Sequence, residues 1–211
     1  MADGPRITRR SLFRGLGSAT VVAGCATPAK PTPNPETNPP GVTPPADGTA
    51  LGPGPAPLQF TLNGEAKTVE AAPSATLADL LRHEVDATGT KVVCDRGACG
   101  ACTVMIDGVA RPSCMTLAHD VAGRRVTTVE GLAEGGELSP LQAAFVRHDA
   151  LQCGFCTSGM LMSCQALLSR TRSQALAADD VKRAISGNLC RCGTYPNVVA
   201  AVLSVADRKA G

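Results

Sequence analysis

Aromatic side chains are almost missing from this chain: its 211 residues include no Trp, one Tyr and four Phe. That scarcity excludes the stacking platforms that hold single-stranded nucleic acid, and a formal charge of only +2 excludes the strong basic field of a nucleic-acid or anionic-surface binder. Histidine is scarce too. His83, His119 and His148 have no partners at metal-ligand spacing and are expected at the surface or its boundary. The one N-terminal apolar stretch, Leu16 to Gly24, falls well short of the roughly 20 residues that a membrane-spanning helix needs. What the chain does have is unevenly placed. Eleven of its sixteen prolines lie between Pro28 and Pro57, which leaves Leu58 to Gly211 for folding. That length suits two small units, for which an apolar core alone supplies only ~3–5 kcal/mol and a staple is usual. Ten cysteines are the available staples.

The cysteines fall into two sets of four. Toward the C-terminus stand Gln152-Cys153-Gly154-Phe155-Cys156 and, after a gap of 33 residues, Cys190-Arg191-Cys192. A structural zinc site would more often show two Cys-x2-Cys knuckles about 15–20 residues apart. A disulfide framework is also disfavoured, because a bridge between the near neighbours of Cys-x-Cys is strained. Each tight pair is expected to hold one iron of a two-iron cluster. The other set, Cys94-x4-Cys99-x2-Cys102 followed by Cys114, has the spacing of plant-type [2Fe-2S] sites. Gly97 and Gly100 let that loop curl and turn backbone N–H groups toward the negatively charged sulfurs. Arg96 and Arg191 read equally as cations near the clusters and as solvated loop residues. Cys164 sits at helical spacing among apolar residues and is expected to be a buried, inert thiol.

Residues 1–25 read as an address. Arg9-Arg10 followed by a short apolar stretch resembles bacterial twin-arginine export signals, and Val22-Ala23-Gly24-Cys25 resembles a lipobox, with Cys25 as the lipidated residue. Cleavage nearby by an ordinary signal peptidase is the competing reading. Residues 26–57 form a Pro-rich linker.

From Leu58, an alternating run, the hairpin signal Asn63-Gly64 and a second alternating run to Glu70 predict paired strands. Thr76 caps a helix through Leu77, Leu80 and Leu81, with Asp79 as its capping-box partner. Strands at Thr103 to Ile106, at Val109 and at Arg125 to Val129 complete a small mixed sheet. Four helices follow. Ser139-Pro140 starts the first, Thr157 caps the second, Asp179 or Asp180 opens the third, and Pro196 starts the fourth.

The run Gly97-Ala98-Cys99-Gly100-Ala101-Cys102, the run Gln152 to Met160 and the run Gly187 to Gly193 together resemble the small iron–sulfur subunits of the xanthine dehydrogenase and aldehyde oxidoreductase family. With the Cys-Gly-Thr-Tyr-Pro-Asn run at 192 to 197, the likeness is nearest to iron–sulfur subunits of periplasmic aldehyde oxidoreductases. The resemblance implies an α+β chain, with a β-grasp [2Fe-2S] ferredoxin domain at 58–135 and a four-helix-bundle [2Fe-2S] domain at 136–211. It implies Cys94, Cys99, Cys102 and Cys114 as ligands of one cluster and Cys153, Cys156, Cys190 and Cys192 as ligands of the other. It further implies a molybdopterin-binding large subunit, near which Gln152 and Cys192 would lie, and a partner subunit holding FAD. The residue before the first ligand, commonly Gly in the family, is Val93 here. The expected role is electron transfer in an exported aldehyde oxidoreductase. The alternatives are the same subunit in an enzyme hydroxylating N-heteroaromatic rings, or a free-standing two-cluster ferredoxin.

Overall fold

The hairpin predicted around Asn63-Gly64 forms as β1 (Ala56–Leu62) and β2 (Glu65–Ala71), in register from Ala56 opposite Ala71 to Leu62 opposite Glu65. A computed structural model of the chain describes residues 52–133, 135–171 and 176–210, with side chains described through Ala206; all of these fall in one structural unit, Pro39–Gly211. The export signal, the lipobox cysteine Cys25 and the linker up to residue 51 lie outside the described residues. Ala56 and Pro57, read as linker, belong to the first strand, where Pro57 is tolerated near its start.

Asn63 and Gly64 both take positive φ, as the two-residue turn requires. The Asn63 side chain does more than turn. It exchanges hydrogen bonds with the backbone N–H and hydroxyl of buried Thr128, tying the hairpin to the end of the sheet. The sheet is completed by β3 (Thr103–Ile106), β4 (Val109–Pro112) and β5 (Arg125–Thr127), in the order β2-β1-β5-β3-β4. Only β1 and β5 run parallel. Against the sheet lies α1 (Leu77–Asp79), which loosens at once into a π-helical turn over Leu80–Glu84. Its cap departs from the expected box, because the Asp79 carboxylate accepts the Thr76 hydroxyl rather than a backbone N–H. Leu58, Phe60, Leu77, Leu80, Leu81, Val104 and Val126 close the core of this half.

The second half packs α2 (Pro140–Arg147), α3 (Thr157–Arg170), α4 (Ala178–Ala184) and α5 (Tyr195–Ala210) around Phe145, Leu161, Cys164, Leu168, Val181 and Val202. Ser139 caps α2 with a complete box to Gln142. The other starts differ from expectation. Cys156, not Thr157, occupies the cap position of α3, and no side chain bonds there. Ala177 precedes α4, with Asp180 reaching back to its N–H at 2.9 Å, and α5 begins one residue early at Tyr195.

The two halves share a helix. Ten of the fourteen residues of α3 are buried, because one face meets the helical core while Met162 and Ala166 pack on Met105 of β3. This explains why all four residues of β3 are buried although a small sheet normally leaves one face wet.

Candidate metal centres

The first cysteine loop curls through Asp95, Gly97 and Gly100, all at positive φ. Its thiols meet in twos: Cys94 with Cys99, and Cys102 with Cys114. Backbone N–H groups converge on them. The Arg96 N–H is the largest influence on Cys94, which together with the Cys99 thiol and the Ala98 and Cys99 N–H groups falls to about 7. Gly97 N–H donates to Cys114 Sγ at 3.3 Å, but burial outweighs it and pushes that thiol up to about 11. Cys102 and Cys114 are buried, and Ala78 closes over them.

The second set is built from two loops. Cys153 and Cys156 lead into α3, while Cys190 and Cys192 lie between α4 and α5. Here the thiols do not meet within the two tight pairs. The thiols pair across the loops, Cys153 with Cys192 and Cys156 with Cys190. Cys156 is half-buried against the helical core where α3 begins, whereas Cys153 is exposed. Burial raises Cys156 to about 12. Burial also works against Cys190, but the Thr194 hydroxyl at 3.3 Å, the Thr194 N–H, the Cys156 thiol and the Cys192 N–H bring it down to about 7.

These arrangements fit two-iron clusters. In each set the thiols meet in pairs, as a cluster with two cysteine sulfurs per iron needs. A cavity of about 250 Å³ beside the second set is lined by its Cys153, Cys156 and Cys190 and by Cys99 of the first set. Val93 and Arg191 share that lining; Val93 is therefore bulk at the boundary between the sets. The buried hydroxyls of Thr157 and Ser158, directly after Cys156, have no protein partner, which leaves them free to donate to cluster sulfur.

Gln152 is exposed beside Cys153, and the Cys153–Cys192 pairing brings it to the same rim as Cys192. Arg96 is exposed on its loop. Cys164 is fully buried in the helical core, where burial pushes its thiol up to about 12. His83 is exposed; His119 and His148 are half-buried, and His119 Nε2 lies 3.0 Å from the Ala71 carbonyl.

Sequence reasoning missed three supporting residues. The Tyr195 hydroxyl accepts the Cys190 N–H at 2.7 Å and donates to the Asn188 carbonyl at 3.0 Å, so it braces the Cys190 loop from below. Its being the sole tyrosine was the available signal. Gly159 on α3 faces the Gly100 carbonyl so closely that a Cβ would collide with it. Asn188 is nearly buried, and its side chain reaches the first cysteine loop.

Comparison with known proteins agrees with this geometry. Residues 60–131 match the 2Fe-2S iron–sulfur cluster binding domain, and residues 128–203 match the [2Fe-2S] binding domain. The nicotine 6-hydroxylase small subunit of Paenarthrobacter nicotinovorans is 51% identical over 146 residues, which is 69% of this chain and 87% of that protein. The aldehyde oxidoreductase iron–sulfur-binding subunit of Escherichia coli K12 is 40% identical over 159 residues, 69% of each chain. Quinoline 2-oxidoreductase of Pseudomonas putida 86 contains a chain that superposes with a TM-score of 0.67 at 42% identity, covering 73% of this chain and 97% of that one.

Proposed function

Because the chain belongs to the small iron–sulfur subunits of the molybdenum hydroxylase family, with its two [2Fe-2S]-binding domains, we propose that it carries electrons from a molybdenum-cofactor large subunit to a flavin subunit or another acceptor. Each cluster, when bound, supplies a one-electron relay. Cys153, Cys156, Cys190 and Cys192 hold the cluster on the molybdenum side, with Gln152 and Cys192 nearest the pterin; Cys94, Cys99, Cys102 and Cys114 hold the one on the acceptor side. The observation that carries the reading is the gathering of eight thiols into two sets of two pairs. Iron analysis should return about four irons per chain. Zinc, or two irons, refutes it. Reduced molybdenum should couple magnetically to the cluster of Cys153 and its partners; stronger coupling to the cluster of the Cys94 loop reverses the order.

For the substrate we retain aldehyde oxidation to a carboxylic acid, which rests on the likeness to aldehyde oxidoreductase subunits. A second reading, hydroxylation of an N-heteroaromatic ring, is favoured by the higher identity to the nicotine 6-hydroxylase small subunit. No substrate contact lies on this chain in either reading. Assay of the purified complex on aldehydes and on N-heteroaromatic compounds, in parallel, separates the two.

We propose a periplasmic location, a reading supported by Arg9-Arg10 and Cys25. Clusters assembled in the cytoplasm require export of a folded chain, which the twin-arginine route provides. Lipidation of Cys25 would then hold the complex at a periplasmic membrane surface, with the Pro-rich segment as its spacer. Several acyl chains at ~0.8 kcal/mol per buried CH₂ anchor firmly where one does not. Mass spectrometry of the mature N-terminus decides it. A soluble chain starting after Cys25 and lacking lipid refutes the anchor, whereas Cys25→Ser should otherwise release the complex.

A further inference from the structure

Between the two cysteine sets lies a buried polar contact that cluster ligation by itself does not require. Asn188, two residues before Cys190, is 4% exposed. Its Nδ2 donates to the Gly100 carbonyl at 2.9 Å, and its Oδ1 accepts from the Ser163 hydroxyl at 2.8 Å. Turning the amide over would set oxygen against the Gly100 carbonyl, so these two partners fix its direction. One residue on, the Leu189 N–H donates to the Cys99 carbonyl at 2.9 Å. A single side chain thus joins the loop of Cys99 and Cys102, the helix that follows Cys156, and the loop of Cys190.

The surroundings are shaped for this approach. The Gly100 carbonyl also accepts from the Thr103 hydroxyl at 2.7 Å and the Thr103 N–H at 3.2 Å, so it is held firmly from its own side. Gly100 has φ +68, and a Cβ there would meet the Gly187 carbonyl and the Asn188 amide. Gly159 presses on the same carbonyl from α3. Two loops from different domains therefore meet at backbone contact, around an amide whose burial is repaid only by partners in other segments.

We infer that Asn188 is a positioning residue for electron transfer between the two sites. It holds the Cys99 loop against the Leu189–Cys190 loop, so that the bond from Leu189 N–H to the Cys99 carbonyl bridges a ligand of one set to the neighbour of a ligand in the other. The inference rests on the cluster ligation proposed above. Tunnelling decays exponentially with separation and proceeds better through covalent and hydrogen bonds than across a gap. One electron moves and no proton accompanies it, so the geometry of the two loops governs the step.

The test uses the whole complex carrying Asn188→Ala, Asn188→Asp or Ser163→Ala. Asn188→Asp removes the donor to Gly100 while keeping an acceptor for Ser163. In both Asn188 variants the iron content and the individual cluster spectra should match the parent, while the spin–spin splitting between the two reduced clusters is lost or narrowed. In rapid-freeze experiments, electrons should reach the first-loop cluster later. Ser163→Ala, which spares the Gly100 bond, should shift both readouts less and in the same direction, and it carries the test if the Asn188 variants do not assemble. An iron-replete variant with unchanged splitting and unchanged transfer overturns the inference. Loss of a cluster from the Asn188 variants also overturns it, since that makes Asn188 merely structural. A parent complex without two cluster signals overturns the ligation reading itself, and this inference with it.

Discussion

The two cysteine sets hold the same number of thiols but are finished differently. In the first, Cys102 and Cys114 are buried under Ala78, and the hydrogen-bond donors are N–H groups of the loop itself. The second set leaves Cys153 and Cys192 exposed and takes support from the Thr194 and Tyr195 side chains. Around its rim stand Phe155 and Leu189, each more than half exposed. The first site buries two of its thiols within its own domain and leaves Cys94 and Cys99 half-buried, with Val93 and Met115 exposed beside its ligands. The second is open on a side edged with apolar surface, the kind of edge that marks a protein interface.

The largest effect expected from this contrast comes from the ligands. Cys102→Ser and Cys153→Ser should each remove one cluster, about half of the roughly four irons. Both losses should destabilise, and Cys102→Ser should cost its domain about 1–3 kcal/mol more, because it also buries a hydroxyl without a partner. Iron analysis with thermal unfolding checks this, and equal stability losses would break the contrast. Next, Gly159→Ala should cost about 1–3 kcal/mol through overpacking against the Gly100 carbonyl, and should disturb both cluster spectra together. A change confined to one spectrum would show that the sites are less joined than their loops suggest.

Phe155→Asp should weaken large-subunit binding by about 2 kcal/mol, the usual worth of an aromatic anchor, and leave the iron content intact. Val109→Asp, on the exposed side of β4, should leave that affinity unchanged. Co-purification titrations distinguish the two faces. The smallest effect belongs to Cys164→Ser, at about 1 kcal/mol, since a helical serine can return its hydroxyl to the preceding turn. Both clusters should remain, and loss of either spectrum would make Cys164 part of a site.

Much of the candidate site was legible because ligand spacing and turn chemistry are local. Cys94-x4-Cys99-x2-Cys102 needs a tightly curled loop, and Gly97 and Gly100 supply it. Asn63-Gly64 and Ser139-Pro140 marked a real chain reversal and a real helix start. Thr157 misled because a good capping residue beside a cysteine loop looks like a cap, yet the helix begins one residue earlier than a Thr157 cap would allow and its hydroxyl is left without a partner.

The sequence by itself therefore determined the spacing within each cysteine loop and the turns, since each depends on residues within a few positions of one another, and its periodicity gave the division into a sheet half and a helical half. Tertiary structure decided the rest. Which thiol faces which across the second site depends on how α3 leaves Cys156 relative to a loop 33 residues away. The double burial of β3 depends on a helix from the other half lying against Met105. The Asn188 amide finds Gly100 at a sequence separation of 88, a contact no local pattern encodes. Such pairings follow from packing two apolar cores against one shared helix, and only the closed core fixes the distances between loops that the chain itself leaves far apart.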